Sequence, residues 1–174
     1  ILGGASRKAG LEGLREGAVI ILGIDPGTIS MGYGVVRVTD DKVDLVASGA
    51  LNGQAKQPPA RRLLNLYEGL DKLVQRYAPD EVAIEEPFVA ANPRSALAVG
   101  RAQAIAMLVA AKHGLPVFTY TPTQVKQAVT SYGGSSKEQV QEMVRLSFAL
   151  AQPLQSNDAA DALAVHGRAA RAAD

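Results

Sequence analysis

The stretch Ile20-Ile21-Leu22-Gly23-Ile24-Asp25-Pro26-Gly27-Thr28 decides the fold. An unbroken apolar run ended by turn residues predicts a strand buried on both faces, as in the middle of a mixed or parallel sheet. Pro26 cannot donate to a sheet ladder, and Gly27 is expected to supply the positive φ of a type II turn. That leaves Asp25 as a carboxylate at the end of the most buried strand, where an ionised group is costly unless a cation or hydrogen-bond donors compensate. Asp25 either caps the following turn or ligates a metal. The second reading requires other carboxylates to converge on it.

Outward from this strand the chain alternates regularly. Met31 to Thr39 and Val43 to Leu51 are rich in apolar and β-branched residues and are joined by Asp40-Asp41-Lys42, so the three strands form an antiparallel meander. Gln54 to Ala60 is a polar loop. Arg61 to Tyr77 carries Leu63, Leu66, Leu70, Leu73 and Val74 at helical spacing. Glu81 to Glu86 is a strand stopped by Pro87. Ser95 to Lys112 is an alanine-rich helix ending before Gly114, and Val117 to Tyr120 is a further strand. Thr121-Pro122 opens a helix with a hydroxyl cap and proline at the first helical position. Ser135-Ser136-Lys137-Glu138 is a capping box ahead of a helix to about Leu150, and a last helix runs from about Asn157 to Ala170. A meander followed by alternating α and β elements fits a ribonuclease H-like α/β fold, a five-stranded mixed sheet with helices on both faces. Residues 1–18 are glycine-rich and without strong periodicity, and are expected to lie outside this 19–170 domain.

Bulk composition narrows the chemistry. The 174 residues suffice for one domain, and 47% hydrophobic with 20% charged is ordinary for a globular protein. No apolar run approaches the length of a membrane span. Without a secretory pattern, a cytoplasmic location is expected. Absence of cysteine excludes disulfides and thiolate metal sites. Net charge is +1, but committing four of the 17 acidic groups to metal leaves 13 against 18 basic ones, a balance of +5 that favours a polyanion if the basic groups cluster.

Two further places supply carboxylates. In Val82-Ala83-Ile84-Glu85-Glu86, alternation puts Glu85 on the face of Ala83 if Val82 and Ile84 point into the core, although alternation alone leaves open which glutamate is functional. Asp158 and Asp161 are three apart on an alanine-rich helix and share one face. Asp158 is also explained by the helix dipole, whereas Asp161 sits in an apolar context where an acid is seldom buried without a partner. Four oxygen donors without thiolate suit Mg²⁺ or Mn²⁺, and two such ions support phosphodiester hydrolysis.

At these residues the sequence resembles the RuvC family of bacterial Holliday-junction resolvases. The matching motifs are Gly23-Ile24-Asp25-Pro26-Gly27-Thr28, Ala83-Ile84-Glu85 with Phe88, Ser95-Ala96-Leu97 with Gly100, Gln124-Val125-Lys126-Gln127, and Asp158-Ala159-Ala160-Asp161-Ala162-Leu163-Ala164, in the family's order from Val19 to about Val165. The resemblance implies that Asp25, Glu85, Asp158 and Asp161 are the catalytic metal-binding carboxylates. It also implies that Phe88 stacks on a base near the crossover and that Lys126 and Lys137 approach the scissile phosphate. Arg94, Arg101 and Lys112 are phosphate contacts by charge only. Pro87 and the run Arg101-Ala102-Gln103-Ala104 depart from the family pattern. His166 projects about 80° from Asp158 around a helix, outside a first metal shell. The resemblance further implies a homodimer, nicks with 5′-phosphate and 3′-hydroxyl ends, and RuvA and RuvB as partners; the dimer surface is expected on the alanine-rich Ser95–Lys112 helix, whose small side chains permit close packing. Two other readings are an actin- or Hsp70-like nucleotide-binding protein, which needs a second phosphate loop and more chain, and a ribonuclease H-like protein acting on RNA or only binding junctions.

Overall fold

In the computed structural model, whose described residues are 17–39, 43–86, 93–121, 123 and 124, the deciding stretch forms β1 (Val19–Asp25). It is followed by β2 (Ser30–Val38), β3 (Val43–Asn52), α1 (Pro59–Tyr77), β4 (Glu81–Glu85), α2 (Pro93–Lys112) and β5 (Val117–Tyr120). The five strands make one sheet in the order β3-β2-β1-β4-β5. β1, β2 and β3 pair antiparallel, while β1, β4 and β5 run parallel, which is the mixed sheet expected from the order of elements. The predicted boundaries hold to within two residues. The helix read as starting at Arg61 begins at Pro59, because proline at the first helical turn gives up only an N–H that has no intrahelical partner.

Residues 20, 22 and 24 of β1 point to one face, and Val82 and Ile84 of β4 join them in a common core. Onto that face α1 brings Leu66, Leu70, Leu73 and Val74, the i, i+4, i+7, i+8 stripe of an amphipathic helix. From α2 come Ala102, Ala106, Val109 and Ala110, whose small side chains let the helix lie close. Burying each large aliphatic contributes about 1.5–3 kcal/mol. Both described helices therefore cover the same face. The helices expected beyond Thr121, which would cover the other, fall outside the described residues, as does the 1–16 segment. At the start of the first of them, Thr121 Oγ1 accepts from the Gln124 N–H (3.3 Å) and Gln124 Oε1 accepts from the Thr121 N–H (2.9 Å). The threonine cap is as expected, and Gln124 completes a capping box.

α2 is long and apolar enough to cross a membrane by length and composition alone. Its alanine stripe is instead packed in the core with α1. The helix ends in a Schellman motif, with Gly114 at φ +68° and the Leu115 N–H reaching Ala110 O at 3.0 Å. Beside that end, Asp71 of α1 receives Lys112 Nζ (2.9 Å) and contacts His113 Nε2 (2.7 Å). The hydrogen bond from Lys112, and then that of His113, hold the Asp71 carboxyl below its ordinary value.

Register between β1 and β4 is set at the opposite end of the sheet from Asp25. Asp80 Oδ2 accepts from the Ile20 N–H and the Asp80 N–H donates to Ile20 O, both at 2.8 Å. This two-bond clamp starts β4 alongside β1 at one defined offset. Asp80→Ala removes the acceptor for the N–H of a buried residue, and is expected to cost about 1–3 kcal/mol, read as a lower denaturant midpoint with unchanged m-value.

Candidate active site at the carboxyl edge of the sheet

Parallel pairing matches Ile21 with Glu81, Leu22 with Val82, Gly23 with Ala83 and Ile24 with Ile84. One residue further along each strand, this register sets Asp25 and Glu85 side by side at the ends of adjacent strands, whose backbones run about 4.8 Å apart, and turns both to one face. That face is the one opposite α1 and α2. Of the two glutamates left open by alternation, Glu85 is the one aligned with Asp25. Glu86 follows the strand, and its N–H is taken by Tyr120 O at 2.7 Å.

The neighbours of this pair are small. Asp25 faces Gly32 across the antiparallel β1–β2 pair, and Gly23 faces Gly34. Ala83 lies behind Glu85 on β4. No large side chain from β1 or β2 therefore fills the floor beside the carboxylates, while Glu85 Oε2 is shielded from solvent. Two acids held together, with glycine and alanine beside them on β1, β2 and β4 and Tyr120 of β5 level with Glu85, suit a hard cation with oxygen ligands.

The turn after Asp25 is held by close contacts, and here the expectation for Gly27 is corrected. Gly27 does not adopt positive φ; the described glycines that do are Gly17 and Gly114. Its necessity is steric, because a Cβ at this position would lie 2.2 Å from Ser30 O. Gly53, at the end of β3, braces the same turn. Its N–H donates to Ile29 O at 2.8 Å, and a Cβ there would lie 2.3 Å from Thr28 O. No local signal marks Gly53, since the contact joins residues about 25 apart in the chain.

Other expected site residues are placed as follows. Arg94, in the first turn of α2, and Arg101, two turns on, are both exposed on the helix that begins just after Glu85. Lys112 is at the far end of that helix, bound to Asp71 and 5.5 Å from the Tyr67 ring centroid, so it serves the packing of α1 on α2. Asp158, Asp161, Phe88, Lys126, Lys137 and His166 lie outside the described residues. Among the described residues no group of three or more His, Cys, Asp or Glu side chains is placed to hold a metal; the pair Asp25 and Glu85 is what the described strands bring together.

Against known proteins, a family model described as "Crossover junction endodeoxyribonuclease RuvC" matches residues 21–166. A protein of that description from Dehalococcoides mccartyi is 52% identical over 145 residues, covering 83% of this chain and 87% of its own. One from Chloroflexus aggregans is 51% identical over 144 residues, covering 83% and 88%. Among solved structures, Thermus thermophilus RuvC in complex with a Holliday junction substrate superposes with a TM-score of 0.82 at 33% identity, covering 89% of this chain and 94% of that one. A yeast mitochondrial Holliday junction resolvase shares the fold, with a TM-score of 0.59 at 15% identity.

Because both glycines are pressed against carbonyl oxygens, Gly27→Ala and Gly53→Ala should each lower stability by about 1–3 kcal/mol, the range for overpacking a filled site. Thermal melting of the two variants checks this; an unchanged midpoint in either would show that the turn has room to yield.

Proposed function

This chain belongs to the RuvC family of crossover junction endodeoxyribonucleases, and from that premise we propose that it cuts four-way DNA junctions by metal-dependent phosphodiester hydrolysis at the edge carrying Asp25 and Glu85. The observation that carries the reading is the β1–β4 register, which aligns two carboxylates from strands some sixty residues apart. Asp158 and Asp161 complete the ligand set by their match to the family motif. Oxygen donors alone, with glycine and alanine leaving room beside them, fit Mg²⁺, with Mn²⁺ as a substitute. When bound, the ions activate the attacking water and stabilise the leaving oxygen. The chain's own contribution is to hold the acids at fixed spacing. At about the strand separation and an effective dielectric near 20, two ionised carboxylates repel by roughly 3 kcal/mol, which a cation offsets and the rigid sheet withstands. Phe88 stacks on a base, Lys126 and Lys137 neutralise the scissile phosphate, and Arg94 contacts the backbone, whereas Arg101 stands on the outer side of α2. The products are nicks with 5′-phosphate and 3′-hydroxyl ends, made in the cytoplasm alongside RuvA and RuvB.

Paired nicks require paired sites, and a two-fold dimer supplies them. The surface for it is the outer side of α2, where Leu97 is 58% exposed, Leu108 56% and Met107 38%. Leu97, Arg101, Ala104 and Leu108 follow at i, i+4, i+7 and i+11, forming one stripe opposite the alanines that face the core.

The activity is tested by incubating the protein with a synthetic mobile four-way junction, duplex DNA and structured RNA under Mg²⁺. Only the junction should be cut, and EDTA should stop the reaction. Asp25→Asn, Glu85→Gln and Asp161→Asn should each reduce cutting by at least a hundredfold while junction binding persists; full activity in any of the three would contradict its assignment. For the dimer, Leu108→Glu should convert the protein to a monomer in light scattering, and a wild-type chain that is itself monomeric would refute the proposed surface.

A further inference from the structure

The edge that carries Asp25 and Glu85 also gathers positive charge that the carboxylate site does not use. β1, β3, β4 and β5 all end there, since Ser30 pairs with Asn52 beside the Asp25 turn and Glu85 pairs with Tyr120. α1 follows β3 and so starts at this edge. Between Asp44 and Glu68 the sequence holds no acidic residue, and the cations within it are Lys56, Arg61 and Arg62. Gln54 to Arg61 is exposed throughout, and Arg62 is partly exposed. Among the described residues none of the three cations is paired with a carboxylate.

This patch is tied rigidly to the catalytic turn. Gly53 donates to Ile29 O and accepts from Asn65 Nδ2 (3.3 Å), so one residue bonds both to the turn after Asp25 and to the second turn of α1. Asn52 Oδ1 receives the Gln54 N–H at 2.6 Å, and Gln54 O receives the Gln57 N–H at 2.8 Å, which keeps the loop bearing Lys56 folded against that bracket. Arg61 and Arg62 stand in the first turn of α1, which contains no acid.

Resting on the junction-cutting reading, we infer that Lys56, Arg61 and Arg62 form a second grip on the substrate, binding the phosphate backbone of a duplex arm as it leaves the Asp25–Glu85 edge. Charge decides the kind of partner: three cations unpaired with any carboxylate and flanked by the amides Asn52, Gln54 and Gln57 match a polyanionic backbone more closely than the two exposed apolar side chains beside them, Ile29 and Leu64, match a protein helix. Continuity with the catalytic turn decides the place. A grip of this kind sets orientation and affinity without reading sequence. Because Gly53 fixes its offset from Asp25, it restrains which phosphate reaches the carboxylates.

The test uses the full chain and a labelled four-way junction with Ca²⁺ in place of Mg²⁺, so that binding is measured without cutting. Each phosphate contact contributes about 0.9 to the slope of log affinity against log salt. Lys56→Ala/Arg61→Ala/Arg62→Ala should therefore flatten that slope by about 3, and the advantage of the wild type should shrink about fortyfold between roughly 50 and 200 mM salt. Since Arg62 is partly buried, the variant Lys56→Ala/Arg61→Ala, both fully on the surface, guards against misfolding and should flatten the slope by about 2. Wild-type binding with an unchanged slope in both variants overturns the patch alone. Absence of junction binding by the wild-type chain overturns the junction reading and the patch with it.

Discussion

The arrangement depends on one pairing, β4 laid parallel to β1 at a single offset. A slip of one residue would turn Glu85 to the opposite face, away from Asp25, and would also turn Val82 and Ile84 out of the core. Packing and chemistry are thus secured by the same constraint. Asp80 enforces it locally through its two bonds to Ile20, and the apolar residues enforce it globally, since only one register buries Leu22, Ile24, Val82 and Ile84 together. The carboxylates are placed by forces that have nothing to do with catalysis.

Polarity of the chain then sorts charge across the molecule. Of the strands that run toward the site, β1 and β4 deliver acids at their ends, and the helices that follow β3 and β4 start at the same edge with Arg61, Arg62 and Arg94 in their first turns. Positive groups thus gather at the same end of the sheet as the acids, with α1 and α2 themselves packed on the other face. At the other edge, Asp71 is engaged by Lys112 and His113, so the charges there are spent on joining α1 to α2.

Rigidity around Asp25 comes from backbone proximity. Gly27 and Gly53 let carbonyl oxygens approach to where a methyl group cannot fit, and the turn is wedged between β2 and the end of β3. Proximity of this kind explains why Gly27 resembles a turn glycine in sequence and yet lacks the backbone angle that would ordinarily account for it.

What the sequence by itself determined is the described strands and helices, their order, and Asp25 as the anomalous acid that ends β1. Periodicity marks Leu66, Leu70, Leu73 and Val74 as one helical face, the apolar run marks β1, and an aspartate ending that run is conspicuous because burial penalises charge. These are local properties, written in residues a few positions apart. Tertiary structure decided that Glu85, which strand alternation left level with Glu86, stands beside Asp25, that Gly53 braces the turn after Asp25, that Asp80 sets the offset of β4, and that Lys56, Arg61 and Arg62 share an edge with the carboxylates. Each of these joins residues distant along the chain. Strand order and register, which bring them together, follow from burying the whole apolar surface at once, and no window of sequence contains that sum.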